Sequence, residues 1–117
     1  LQGESLEQLT QDMSWVNEVG RPLGISEENL RTHPMRHVLT MALGVSPELR
    51  VQVFPVELLP GSLILLSTDG LHGVVSEEEI REILLRPISL EERAHLLVEA
   101  ARKAGGPDNI TVVLVQH

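Results

Sequence analysis

Two short segments hold the residues best suited to chemistry: Ser67-Thr68-Asp69-Gly70-Leu71-His72-Gly73 and Gly105-Gly106-Pro107-Asp108-Asn109-Ile110-Thr111. Asp69 follows the apolar run Ser62 to Ser67 (SLILLS), and Asp108 precedes the apolar run Ile110 to Val115 (ITVVLV). Both runs are short and nearly all apolar, which predicts strands buried on both faces. If the strands are antiparallel neighbours, the two carboxylates fall at one end of the sheet. Parallel pairing would separate them by roughly 17–20 Å. Carboxylates meeting at a strand edge repel unless one is protonated or a cation lies between them. The chain has no cysteine, so the donors are hard oxygens and the expected cation is Mg²⁺ or Mn²⁺.

The neighbouring residues suit that reading. Gly70 lets the chain turn without a side chain blocking the approach. Pro107 stiffens the second loop, and Asn109 is placed to hydrogen-bond the local backbone. Taken singly, each segment is also an ordinary turn composition.

The elements that must position these loops are legible as local patterns. Ser76 with Glu79, and Ser89 with Glu92, have the spacing of capping boxes that open helices. Ile80, Ile83 and Leu84 line the first helix, which Pro87 closes. Leu90, Ala94, Leu97, Val98 and Ala101 repeat at helical period in the second, which Gly105-Gly106-Pro107 stops. The first half reads as a helical unit. A helix is expected over Asp12 to Gly20 around Trp15, Val16 and Val19, followed by a loop ending in an N-cap at Ser26. Another helix is expected from Pro34, with Val38, Leu39, Ala42 and Leu43 as its apolar face. Ser5 to Thr10 reads as a strand remnant. Val51 to Val53 and Val56 to Leu59 read as β-favouring pieces interrupted by Pro55.

A chain of 117 residues suits one domain, and no apolar run approaches the roughly 20 residues of a membrane-spanning helix. The net charge of −8, with only nine scattered basic residues, argues against a nucleic-acid partner. No signal peptide is evident, and cytoplasmic residence is expected. The histidines have no metal-ligand spacing: His33 precedes a proline, His95 lies on a helix flank and His117 is terminal. His72, three residues past Asp69, reads as a loop residue. Trp15 reads as a packing anchor, and Glu77 to Glu79 as a helix-start feature.

Taken together, LILLSTDGLHGVVSEEEI (Leu63 to Ile80) and GGPDNITVVLV (Gly105 to Val115) resemble the protein phosphatase 2C family of metal-dependent serine/threonine phosphatases. Leu9 to Gly44 is similar to the flap region of its bacterial members. The resemblance implies an α+β fold, with antiparallel β-sheet and flanking helices forming part of an α-β-β-α sandwich. Residues 1–117 would be the C-terminal portion of one phosphatase domain, with a flap-like helical segment at 12–45 and a strand/helix core with metal-ligand loops at 50–117. It also implies that Asp69 and Asp108 are metal ligands, supported by Gly70 and Asn109. Two or more Mg²⁺ or Mn²⁺ ions would activate water against phosphoserine or phosphothreonine in proteins, with no catalytic residue separate from the metal site.

Departures from the family pattern accompany the likeness. Met13 stands where relatives often have His, His37 where they often have Asn, and Met41 where they often have Arg. The other ligands and a phosphate-binding Arg belong to an N-terminal half that these residues lack, so the chain alone is expected to be inactive. Its sheet is expected to expose apolar faces, to be covered by that half or by dimerisation. Rival readings are a non-catalytic regulatory or interaction module (a pseudophosphatase) and a related phosphatase of a bacterial sigma-factor switch.

Overall fold

The two apolar runs of the second half pair with each other. In the computed structural model, which describes residues 1–117, β1 (Leu63–Ser67) and β2 (Val112–Gln116) form a two-stranded antiparallel sheet. Its register runs from Leu63 opposite Gln116 to Ser67 opposite Val112. The sheet belongs to a unit built from Leu1–Glu7 and Val56–His117, while Gln8–Pro55 forms a second unit.

Helices cover one face of the sheet. They are α2 (Asp69–His72), α3 (Glu77–Leu84) and α4 (Leu90–Lys103). Leu71, Leu84 and Leu97 are fully buried among them, each such side chain stabilising by roughly 1.5–3 kcal/mol. Leu65, Val112 and Leu114 pack against this core, which includes Leu63. Alternation along the strands turns Leu66, Val113 and Val115 to the opposite face, where they are 55 %, 50 % and 47 % exposed. The expectation of strands buried on both faces is therefore corrected: this chain supplies cover for one face only.

Both helix starts carry the serine cap expected from the sequence, but only the one at Ser89 forms the reciprocal box. The Ser76 hydroxyl accepts the Glu79 N–H at 3.2 Å. Ser89 accepts the Glu92 N–H at 3.2 Å, while the Glu92 carboxylate accepts the Ser89 N–H at 3.0 Å, completing the box. The Ser89 hydroxyl, followed by its backbone N–H, holds the Glu92 carboxyl below the ordinary glutamate range. A lowered folded pKa means this contribution is present above the ordinary value and is lost as pH falls through the folded one. Ser89→Ala should lower stability by about 0.5–2 kcal/mol, read as a reduced urea midpoint at neutral pH.

The second unit departs further from expectation. The helix around Trp15 is a five-residue π-helix, Val16–Gly20, closed by Arg21 N–H donating to Val16 O. Ser26 caps α1 (Glu27–Thr32) as its sequence suggests. Trp15 stacks on His33 with ring centroids 4.3 Å apart, and a Cβ on Gly20 would lie 2.5 Å from Leu30 Cδ2 and 3.1 Å from the Trp15 ring. This confirms Trp15 as a packing residue.

No helix starts at Pro34. The Met35 N–H goes to His33 Nδ1 at 3.1 Å, and residues 34–37 form turns. Val38 O accepts the Trp15 N–H and the Thr40 N–H goes to Met13 O, both at 2.9 Å. With those groups committed across a Ser14–Leu39 bridge, a helical ladder is unavailable, and Val38, Leu39 and Leu43 are exposed. Ser5 to Thr10 holds only a Gln2–Ser5 bridge. Val51 to Val53 and Val56 to Leu59 form no strand, interrupted as they are by a proline that cannot donate to a ladder. No helix of the chain is long and apolar enough to cross a membrane.

Candidate metal centre

Antiparallel register decides where the aspartates lie. Asp69 stands two residues beyond Ser67 and Asp108 four before Val112, and Ser67–Val112 is the last pair of the sheet. Both therefore emerge at the same rim, and both are exposed.

Thr68 joins the two loops. Its hydroxyl donates to Asn109 O at 2.9 Å and accepts the Thr111 N–H at 3.0 Å. Its own N–H donates to Thr111 O at 3.2 Å. The residue before Asp69 is thus bonded directly to the residue after Asp108. Nothing in the sequence singles out Thr68, because its hydroxyl's partners lie 41 and 43 positions away. The only available signal was a hydroxyl residue immediately ahead of the aspartate.

Asp69 does not enter a simple turn. It is the first residue of the one-turn helix α2, with Gly73 N–H donating to its carbonyl at 2.8 Å. Gly70 has no positive φ, so turn freedom is not what requires glycine here. A Cβ there would run into the Asn109 carbonyl, with the Asn109 carbonyl carbon at 2.8 Å and Ile110 Cα at 3.4 Å. Glycine is needed because the two loops touch. A Cβ on Gly73 would likewise approach Asp69 O to 2.6 Å. On the other loop, Asp108 Oδ1 accepts the Asn109 N–H at 2.7 Å, which orients the carboxylate and leaves its second oxygen outside that bond.

His72 ends α2, its Nδ1 hydrogen-bonded to the Ser67 hydroxyl at 3.1 Å. His33 is stacked on Trp15, His95 is exposed on α4 and His117 closes the chain beside Ser62. Glu77 to Glu79 form the first turn of α3. Met13 and Met41 are half-buried and His37 is exposed. No group of three or more His, Asp or Glu side chains converges to hold a metal ion. The rim thus offers two carboxylates, fewer oxygens than a six-coordinate cation requires.

The sequence and the fold match one class of protein. Residues 16–117 match the family model described as Stage II sporulation protein E (SpoIIE). The serine/threonine phosphatase stp of Listeria welshimeri is 41 % identical over 117 residues, covering 100 % of this chain and 46 % of its own length. Protein phosphatase PhpP of Streptococcus pneumoniae is 38 % identical over 115 residues, 98 % of this chain and 47 % of the relative. The crystal structure of the PPM Ser-Thr phosphatase MsPP from Mycobacterium smegmatis, in complex with cacodylate, superposes with a TM-score of 0.84 at 38 % identity, covering 99 % of this chain and 50 % of that one. The chain belongs to the SpoIIE family, and the relatives it matches are bacterial serine/threonine phosphatases of the protein phosphatase 2C (PPM) type. It spans about half the length of the curated relatives it matches.

Proposed function

We propose that the chain is the C-terminal portion of one metal-dependent protein serine/threonine phosphatase domain, in which Asp69 and Asp108 hold Mg²⁺ or Mn²⁺. Residues 12–45 would be the flap-like segment and 50–117 the part carrying the metal-ligand loops. The observation that carries this reading is the antiparallel register, which brings two exposed carboxylates to one rim and is locked there by Thr68.

The donor set fits hard divalent cations, since both groups are carboxylates. Bound at that rim, such ions would make hydroxide available near neutral pH and offset the charge on a phosphoryl group. Gly70 and Asn109 support the site through the contact that sets the loop spacing. The substrates are phosphoserine and phosphothreonine of other proteins, as the names of the relatives suggest.

Two carboxylates are too few for robust metal binding, so the chain by itself is expected to be inactive. The exposed Leu66, Val113 and Val115 face suits burial by the remaining half of the domain. The reading is tested by combining the chain with the N-terminal portion of the domain and following p-nitrophenyl phosphate hydrolysis with and without Mn²⁺. Turnover that needs both the second portion and the metal is the expected result. Association of the two portions without Mn²⁺-dependent turnover would favour the non-catalytic interaction module instead.

A further inference from the structure

We propose that Ser67 and His72 are a positioning pair for Asp69. The inference rests on Asp69 being a metal ligand and assigns two further residues of the chain to that ligand's geometry. Positions 63, 65 and 67 of β1 share one face, and the first two are leucines packed on the helical side. Ser67 breaks this apolar alternation at the last residue of the strand. Its half-buried hydroxyl lies 3.1 Å from Nδ1 of the exposed His72, within hydrogen-bond distance.

The location of the bond gives it a role. It joins the last residue of β1 to the last residue of α2, so it closes a loop that contains Asp69. Thr68 ties the same turn sideways to the Asp108 loop through its hydroxyl, and its carbonyl accepts the Leu71 N–H at 3.0 Å, one residue short of the end of α2. That end is held by buried Leu71, by the Gly73 N–H on Asp69 O and by the Ser67–His72 bond. An exposed carboxylate loses conformational freedom when it binds a cation, and a turn fixed beforehand loses less. His72 acts through Ser67 and the turn, without touching the ion.

The test uses the protein carrying both halves of the domain and reads Mn²⁺ affinity from the electron paramagnetic resonance signal of free Mn²⁺. His72→Ala and Ser67→Ala should each weaken Mn²⁺ binding about tenfold, in the range for groups that orient a ligand from behind. Combining them should add little, because they remove one bond. His72→Asn places a polar atom near the position of Nδ1 and should restore most of the affinity.

Wild-type affinity in both alanine variants, alongside loss of binding in Asp69→Asn, overturns the pair while leaving the metal reading intact. A loss in His72→Ala that His72→Asn does not rescue also overturns it, because the ring would then act through its other nitrogen. Unchanged binding in Asp69→Asn overturns the pair and the metal reading together. Ser67→Ala removes the bond with little change in volume, and its urea midpoint separates weakened binding from failure to fold.

Discussion

Asp69→Asn and Asp108→Asn should each reduce Mn²⁺-dependent hydrolysis of p-nitrophenyl phosphate by the complete domain more than about 100-fold. Replacing groups that only orient a metal ligand commonly costs 10–100-fold, and these substitutions would remove ligand charge itself. Asparagine keeps the size of the side chain and one oxygen. The bond from the Asn109 N–H to Oδ1 of residue 108 can therefore persist, and the Thr68 bonds involve no atom of either aspartate. The fold should survive.

Without metal, each variant should be at least as stable as the wild type, because one of two like charges at the rim is gone. Mn²⁺ should then separate them. At a concentration of 100 Kd a ligand adds about 2.7 kcal/mol to stability, and only the wild type should show that gain. Thermal melts with and without Mn²⁺ check it beside the rate assay. Full activity in both variants would refute the assignment of the site.

What could be read from the sequence follows the range of the interactions involved. Helices α3 and α4 rest on bonds three residues apart, Ser76 to Glu79 and Ser89 to Glu92, so their starts were visible. The strands were visible as apolar runs, but their direction was not. It was inferred from the chemistry of Asp69 and Asp108, and the register bears that out. The span from Pro34 to Gly44 misled because its apolar residues have helical spacing, whereas its backbone is committed to Met13, Ser14 and Trp15 more than twenty residues away. The exposed sheet face has the same origin: Val113 and Val115 read as core residues in the sequence, yet they are left about half exposed. Thr68 is not legible in the sequence because both partners of its hydroxyl are remote in it. Gly70 stands out in the sequence for its freedom to turn, whereas its contact with the opposite loop is what requires it.

That difference in cause makes Gly70→Ala the sharpest test of the rim. Seen locally, the substitution should help: Gly70 lies within α2 without a positive φ, and alanine is favoured over glycine in helices by about 1 kcal/mol. The rim predicts the opposite. The added methyl would meet Asn109 O, and it would come within 2.8 Å of the Asn109 carbonyl carbon. These are backbone atoms, which cannot rotate aside as a side-chain terminus can. Either α2 or the Asp108 loop must shift, at roughly 1–3 kcal/mol for overpacking. The same shift would strain both Thr68 hydroxyl bonds, each worth about 0.5–1.5 kcal/mol. Because those bonds link the loops bearing Asp69 and Asp108, stability and Mn²⁺ affinity should fall together. Urea unfolding should show a lower midpoint with an unchanged slope. A raised midpoint would mean that local helix preference outweighs the loop contact, and the close approach of the two loops could not then be what holds the aspartates together.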